Sequence, residues 1–190
     1  MSRGIQHLYA SLPVTYEVGG TADSTDETVF HATGADTTWS GGYIALPAGT
    51  CRVGDFFDGT ILVEPTAENS TNTLDLAVYW GPVSNPLTGI KIADYAALDA
   101  ALTAKGIKYW VAFEATGTVS VARISGLGLS WNTAATALSQ TIANTGVDAQ
   151  CSTQVDMCFA VAAAWSASDA GNMVRLRSHH CIKYPALPSV

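Results

Sequence analysis

Charge is scarce in this chain of 190 residues: charged side chains make up 13%, and nine Lys and Arg face 16 Asp and Glu, a formal net charge of −7. Binding phosphate backbones needs a surplus of cations on one face, so a general nucleic-acid binder is not expected. Long apolar runs are missing too. The uncharged stretch Cys158 to Ser168 falls far short of the about 20 residues a membrane-spanning helix needs. No positively charged apolar leader opens the chain, so synthesis in a cytoplasm and no membrane partner are expected. No Gly-x-Ser-x-Gly elbow and no glycine loop ending in Lys-Ser/Thr is present, which removes the commonest hydrolase and phosphate-binding signatures. Cys51, Cys151, Cys158 and Cys181 are spaced too irregularly for a zinc motif and read as reduced thiols. No cofactor is called for.

What fills the chain instead is glycine, 17 of them, with Thr, Ser and Ala, a profile of short strands and tight turns. A single domain of this length buries roughly 70% of its unfolded surface and folds without staples. Strand signals recur from residue 27 onward: 28–33, 43–46, 55–64 ending at Pro65, 73–80, 88–92, 107–115, 118–124 and a weaker 138–144. Leu74, Leu76, Val78 and Trp80 alternate with wetter neighbours, and Ile107, Tyr109, Val111 and Phe113 share a face. One helix is predicted over Ala93–Lys105, with Asp94 as cap, Leu98 and Leu102 four apart and Gly106 as stop. Residues 1–26 read as an N-terminal arm and 27–190 as the domain.

The clearest pattern lies at the end: two long alternating strands around one turn, Ser168-Asp-Ala-Gly-Asn172. In the first, Val155, Met157, Phe159, Val161, Ala163 and Trp165 share the packed face. In the second, Val174, Leu176, Ile182 and Tyr184 share one parity, and Met173, Arg175, Arg177, His179, Cys181 and Lys183 the other. The second set reads as an outer basic face, carried by Arg175, Arg177 and Lys183. About eight strands in a chain of this length favour an all-β, antiparallel jelly-roll sandwich over an immunoglobulin-like domain.

Residues 152–182, an alternating strand leading through Trp-Ser-Ala-Ser-Asp-Ala-Gly-Asn into a second one, resemble the closing hairpin of tailed-bacteriophage virion proteins with tumour-necrosis-factor-like jelly rolls. Leu46-Pro-Ala-Gly-Thr-Cys-Arg-Val-Gly-Asp55 is similar to their early strand, short loop and Val-Gly-Asp element, and residues 72–80 to the strand after it. The resemblance covers about half the chain and departs from it in the arm, in the Pro-rich loop 81–86 and in the helix candidate. It implies head decoration, minor capsid, vertex or fibre roles, and homotrimers.

The candidate catalytic groups have duller readings. His179 and Cys181 fall on one face of a strand and could share a metal, but no second cluster completes four ligands; His179 reads as an outward neighbour of Arg177 and His180 as packed. Asp55 with Asp58, and Asp23 with Asp26 and Glu27, read as solvated turns rather than as a glycosidase pair or calcium ligands. Trp39, Tyr43, Tyr79, Trp110 and Trp131 do not all fit core parity, which suits either a stacked sugar or a subunit interface.

The expectation is thus a non-enzymatic virion protein, made in the host cytoplasm, whose partners are copies of itself and a major capsid protein. Ile5, Leu8, Tyr9 and Leu12 of the arm are the anchors expected to reach the shell. The alternative is a tail-fibre, receptor-binding or carbohydrate-binding jelly roll.

Overall fold

The computed structural model describes residues 4–9, 16–20, 25–32, 42–67, 72–99, 104–115, 122–132, 139–141, 147–149 and 155–186. Among these, fourteen strands follow one another: β1 Gln6–Tyr9, β2 Tyr16–Gly20, β3 Thr28–Val29, β4 His31–Ala32, β5 Ile44–Leu46, β6 Phe56–Ala67, β7 Thr73–Pro82, β8 Ile90–Asp99, β9 Lys105–Ala115, β10 Ala122–Asn132, β11 Ser139–Thr141, β12 Val147–Ala149, β13 Met157–Trp165 and β14 Asp169–Tyr184. A single 3-10 turn, Pro86–Thr88, joins β7 to β8.

Two antiparallel sheets result. The larger runs β11-β10-β9-β6-β14-β2-β4, with β1 also on β14 and β12 also on β10; the smaller runs β3-β13-β7-β8, with β5 also on β13. Taking β2, β14, β6 and β9 from one and β3 with β5, β13, β7 and β8 from the other, the chain alternates between sheets except for the β7–β8 hairpin. That is jelly-roll connectivity, and the expected fold class is what the chain adopts. β10, β11 and β12 widen the larger sheet beyond this frame.

The core lies between the sheets. Leu74, Leu76, Val78 and Trp80 of β7 and Met157, Phe159, Val161, Ala163 and Trp165 of β13 meet Phe57, Ile61 and Val63 of β6 and Ile107, Tyr109, Val111 and Phe113 of β9. Phe57, Trp80, Phe113 and Phe159 form one aromatic group, its contacting ring centroids 4.7 to 5.5 Å apart. A smaller cluster, Val29, Ala77, Tyr79, Cys158, Ala160 and Ala162, sits on the other face of β7 and β13. Every residue of β13 is therefore buried, which only a strand with neighbours on both edges and cover on both faces can achieve.

Three expectations are corrected. Residues 93–99 of the predicted Ala93–Lys105 helix fall in β8, antiparallel to β7, and Lys105 opens β9. Ala and Leu favour a helix by only tenths of a kcal/mol per residue over strand formers such as Ile and Tyr. Ladder pairing and the burial of Ile92, Ala93 and Tyr95 outweigh that, and the Tyr95 hydroxyl donates to the Lys108 carbonyl at 3.0 Å.

The second correction concerns the closing hairpin: β13 and β14 belong to opposite sheets. Both edges of β13 are taken by β7 and by β3 with β5, and both edges of β14 by β6 and by β1 with β2, so the connection is an arch across the core. Ser166 exchanges hydrogen bonds with Thr73 on the way, its Oγ accepting from the Thr73 N–H at 2.9 Å and its own N–H donating to the Thr73 carbonyl at 3.0 Å.

The third is the parity of β14. Its register against β6 shifts between Leu176 and Ser178, the two-against-one count of a β-bulge. Before the shift Val174 and Leu176 are buried, as expected; after it His179, Cys181 and Lys183 turn in, and Ile182 and Tyr184 turn out.

Within the expected arm, residues 1–26, β1 and β2 both hydrogen-bond along one edge of β14, and Tyr16 and Val18 enter the core. On the inner face of the larger sheet, Tyr109 lies flat across β6 at Gly59, where an added Cβ would stand 2.0 Å from the ring. Gly59→Ala is expected to lower stability by about 3 kcal/mol, the upper range for overpacking a filled core, read as a fall in the urea midpoint without a change in slope.

Candidate interaction surface

The strands line up so that β6 begins, and β14 and β7 end, at the same pole as the start of β13. Ile5, just before β1, and the loop 47–55 lie there too, because β1 pairs with the end of β14 and the loop leads into β6. Five large apolar side chains are exposed among the described residues, and all belong to this pole: Ile5 (60%), Val53 (53%), Val155 (47%), Tyr184 (38%) and Phe56 (37%). Phe56 and Tyr184 are direct cross-strand partners on the outer face, ring centroids 6.0 Å apart. The Phe56-Phe57 doublet explains the arrangement. Adjacent strand residues point to opposite faces, so Phe57 fills the core and Phe56 is left outside.

The loop beneath these side chains is fixed by a buried ion pair. Lys183 Nζ lies 2.9 Å from Asp55 Oδ2, with the lysine side chain 5% and the aspartate 0% exposed. Asp55 also accepts the Arg52 and Ala186 backbone N–H groups, each at 2.9 Å, and Lys183 donates to the Thr50 carbonyl and sits 5.6 Å from the Phe57 ring centroid. Both ions thus have their hydrogen bonds satisfied, the condition under which such a pair is tolerated in an interior. Gly54, at φ +83°, lets the loop turn so that its N–H reaches the Phe113 carbonyl at 2.8 Å. Arg52 and Asp156 are exposed beside this clasp. Asp156 Oδ1 accepts the Ala48 N–H at 2.9 Å, and among the described residues the Arg52 guanidinium has no ion-pair partner.

Several expected sites are relocated. Lys183 leaves the proposed outer basic face for the interior because of the bulge, and Asp55 is its counter-ion, not a solvated turn. Arg175 and Arg177 do stay outside, but each is neutralised, by Glu17 and Glu64 respectively. His179 is buried and His180 half-buried, the reverse of the expected order. Val155 precedes the strand and is exposed instead of packed. Of the arm residues, Ile5 is exposed, Leu8 packs against the core, Tyr9 pairs with His180 in β1, and Leu12 lies outside the described residues. Asp23 and Trp39 also lie outside them.

The polar chemistry is consumed by structure. His179 Nε2 shares a hydrogen bond with the Tyr109 hydroxyl at 2.9 Å, and burial holds its pKa down at about 3, so it is neutral. Burial pushes the thiols of Cys51 up to about 11 and of Cys158 and Cys181 up to about 12, which keeps all three protonated and unreactive. Tyr79 donates to Glu27, which also pairs with Lys91. Asp58 pairs with Lys108 at 3.1 Å, and Lys108 Nζ lies 5.5 Å from the Trp110 ring centroid, covering a ring face that a sugar would need. Among the described residues no group of three or more His, Cys, Asp or Glu could hold a metal ion, and no helix is long and apolar enough to cross a membrane.

No family model and no curated protein matches the chain. Among solved structures, a GH43 glycoside hydrolase engineered to display both endo-xylanase and exo-arabinofuranosidase activity aligns with 88% of this chain at 12% identity and a TM-score of 0.42. The chain spans 40% of that protein's length. A Mycobacterium abscessus protein described as a beta-glucanase aligns at 12% identity and a TM-score of 0.25, over 83% of this chain and 78% of its own. At those levels neither likeness speaks to activity.

Two outcomes follow from the buried groups. Lys183→Met leaves the Asp55 charge without its counter-ion and is expected to destabilise by about 3 to 5 kcal/mol, with chemical denaturation as the measurement. His179 binds its proton more weakly in the folded state, about 3 against 6.5. Its contribution is therefore complete above about pH 6.5 and declines as pH falls toward 3, at a limiting slope of about 1.4 kcal/mol per pH unit. His179→Gln is expected to flatten the stability profile over that window; an unchanged slope contradicts the assignment.

Proposed function

We propose that this chain is a non-enzymatic structural protein of a bacteriophage particle, a head decoration or minor capsid component that assembles as a homo-oligomer and attaches to the capsid shell. The observation that carries the reading is where the resembling segments fall. Residues 152–182 take in β13, the arch and most of β14, residues 46–55 are the clasped loop, and residues 72–80 are most of β7. All three segments belong to the two-sheet frame of the jelly roll, which supports reading the resemblance as one of architecture. The apolar pole supports the same reading, since large exposed patches on a protein mark surfaces meant to be covered. In the assembled particle the chain's partners are other copies of itself, as a homotrimer, and the major capsid protein.

The test is direct localisation. In purified particles of the phage that encodes the chain, quantitative mass spectrometry is expected to find it at a fixed stoichiometry to the major capsid protein, surviving a density gradient. A chain present in infected cells but absent from washed particles would overturn the reading.

A further inference from the structure

Within that assembly reading, we infer that the pole formed by Ile5, Arg52, Val53, Phe56, Val155, Asp156 and Tyr184 is the surface through which copies of this chain bind one another, with Arg52 of one copy pairing with Asp156 of the next. The composition is that of an interface core: aromatic rings and an arginine among aliphatic side chains, with the one nearby lysine, Lys183, withdrawn into the interior. The other charges of the clasp satisfy one another, Asp55 with Lys183. Arg52 is left as a cation without an ion-pair partner among the described residues, and Asp156 as an anion that accepts only a backbone N–H.

Those two residues select the occupant. A pole whose described residues carry one cation and one anion that do not pair with each other is complementary to itself. Any closed rotation that brings Arg52 of one copy to Asp156 of its neighbour satisfies both while apolar side chains meet beside them. An acidic or a basic partner would satisfy one and leave the other stranded.

The surface is also held in shape before contact. Asp55 ties Arg52, Ala186 and Lys183 together, the Thr50 N–H reaches the Pro47 carbonyl at 3.2 Å, and the Val83 N–H reaches the Asp156 carbonyl at 3.1 Å. Binding then orders few groups that were free, which lowers the entropic cost of association.

The experiment is sedimentation velocity and native mass spectrometry on the full chain across a concentration series. The wild type is expected to form a closed oligomer. Arg52→Glu and Asp156→Lys, each placing like charges opposite one another, are expected to raise the dissociation midpoint about tenfold or more. The double reversal Arg52→Glu with Asp156→Lys is expected to return it close to wild type. Ser168→Glu, at the opposite pole, is expected to leave it unchanged. Because Asp156→Lys also loses the Ala48 contact, thermal unfolding of each variant is followed, and Arg52→Ala serves as a second, milder probe expected to weaken association. A monomeric wild type, single reversals without effect, or a double reversal that fails to restore assembly would each overturn the inference, as would a chain that is monomeric alone and binds only a different particle protein through this pole. Failure here with the chain still present in particles leaves the structural role standing. An oligomer that depends on the Arg52–Asp156 pair, in a chain absent from particles, does the reverse.

Discussion

The extra residue in β14 between Leu176 and Ser178 decides the lower half of the molecule. A strand that kept its alternation would present Ile182 and Tyr184 to the core and Lys183 to water. With the shift, Lys183 must find a counter-ion inside, and Asp55 supplies it. Asp55 in turn collects the Arg52 and Ala186 N–H groups, so the loop and the end of β14 become one unit. Tyr184, sent outward by the same shift, meets Phe56 on the surface. A bulge is a local change of one residue, yet it sets which side chains are structural and which are available.

The interior ion pair is an expensive way to hold a loop. Burying two charges costs several kcal/mol per ion, and the mutual attraction with the added hydrogen bonds roughly offsets this, so a well-packed apolar pair would serve stability as well or better. What an apolar pair lacks is direction. Asp55 places four specific partners, Lys183 and the N–H groups of Arg52 and Ala186 by its carboxylate and the N–H of Phe113 by its carbonyl. Geometry of that kind matters where the loop must present Arg52 and Val53 in a fixed attitude, and little where the loop only connects β5 to β6.

Much of the architecture was legible because period-two alternation dominates the chain. The inward faces of β7 and β9 and the alternate packed residues Met157, Phe159, Val161, Ala163 and Trp165 were readable from spacing alone, as was the sandwich they build; that the other face of β13 is covered too was not. Ala93–Lys105 misled because alanine and leucine are good helix formers and their true role depended on pairing with β7, which lies outside the segment itself. The arch between β13 and β14 misled for a similar reason: a turn-rich segment between alternating strands serves a hairpin or a crossing equally, and only the competition for β13's edges separates them. The bulge had no local signal, since Arg177 is an ordinary outward residue, and with it went the positions of His179, Lys183 and Tyr184. At the pole, Phe56-Phe57 did carry a signal, as two adjacent rings at a strand start cannot both be buried by one sheet face.

The charge distribution adds a last constraint on assembly. At a net charge of −7 the copies repel at long range, but at physiological ionic strength the Debye length is about 8 Å, so approach to contact is opposed mainly by charges close to the touching surfaces. Among the described residues on the outer face of the larger sheet, charges are paired, Arg175 with Glu17, Arg177 with Glu64 and Lys108 with Asp58. Neutralised pairs neither attract nor repel strongly, which leaves apolar contact at the pole and one short-range complementary pair to set orientation. Under the proposed assembly, a surface of that kind would bind weakly as a single copy and draw its strength from several copies engaging at once on a repeating support.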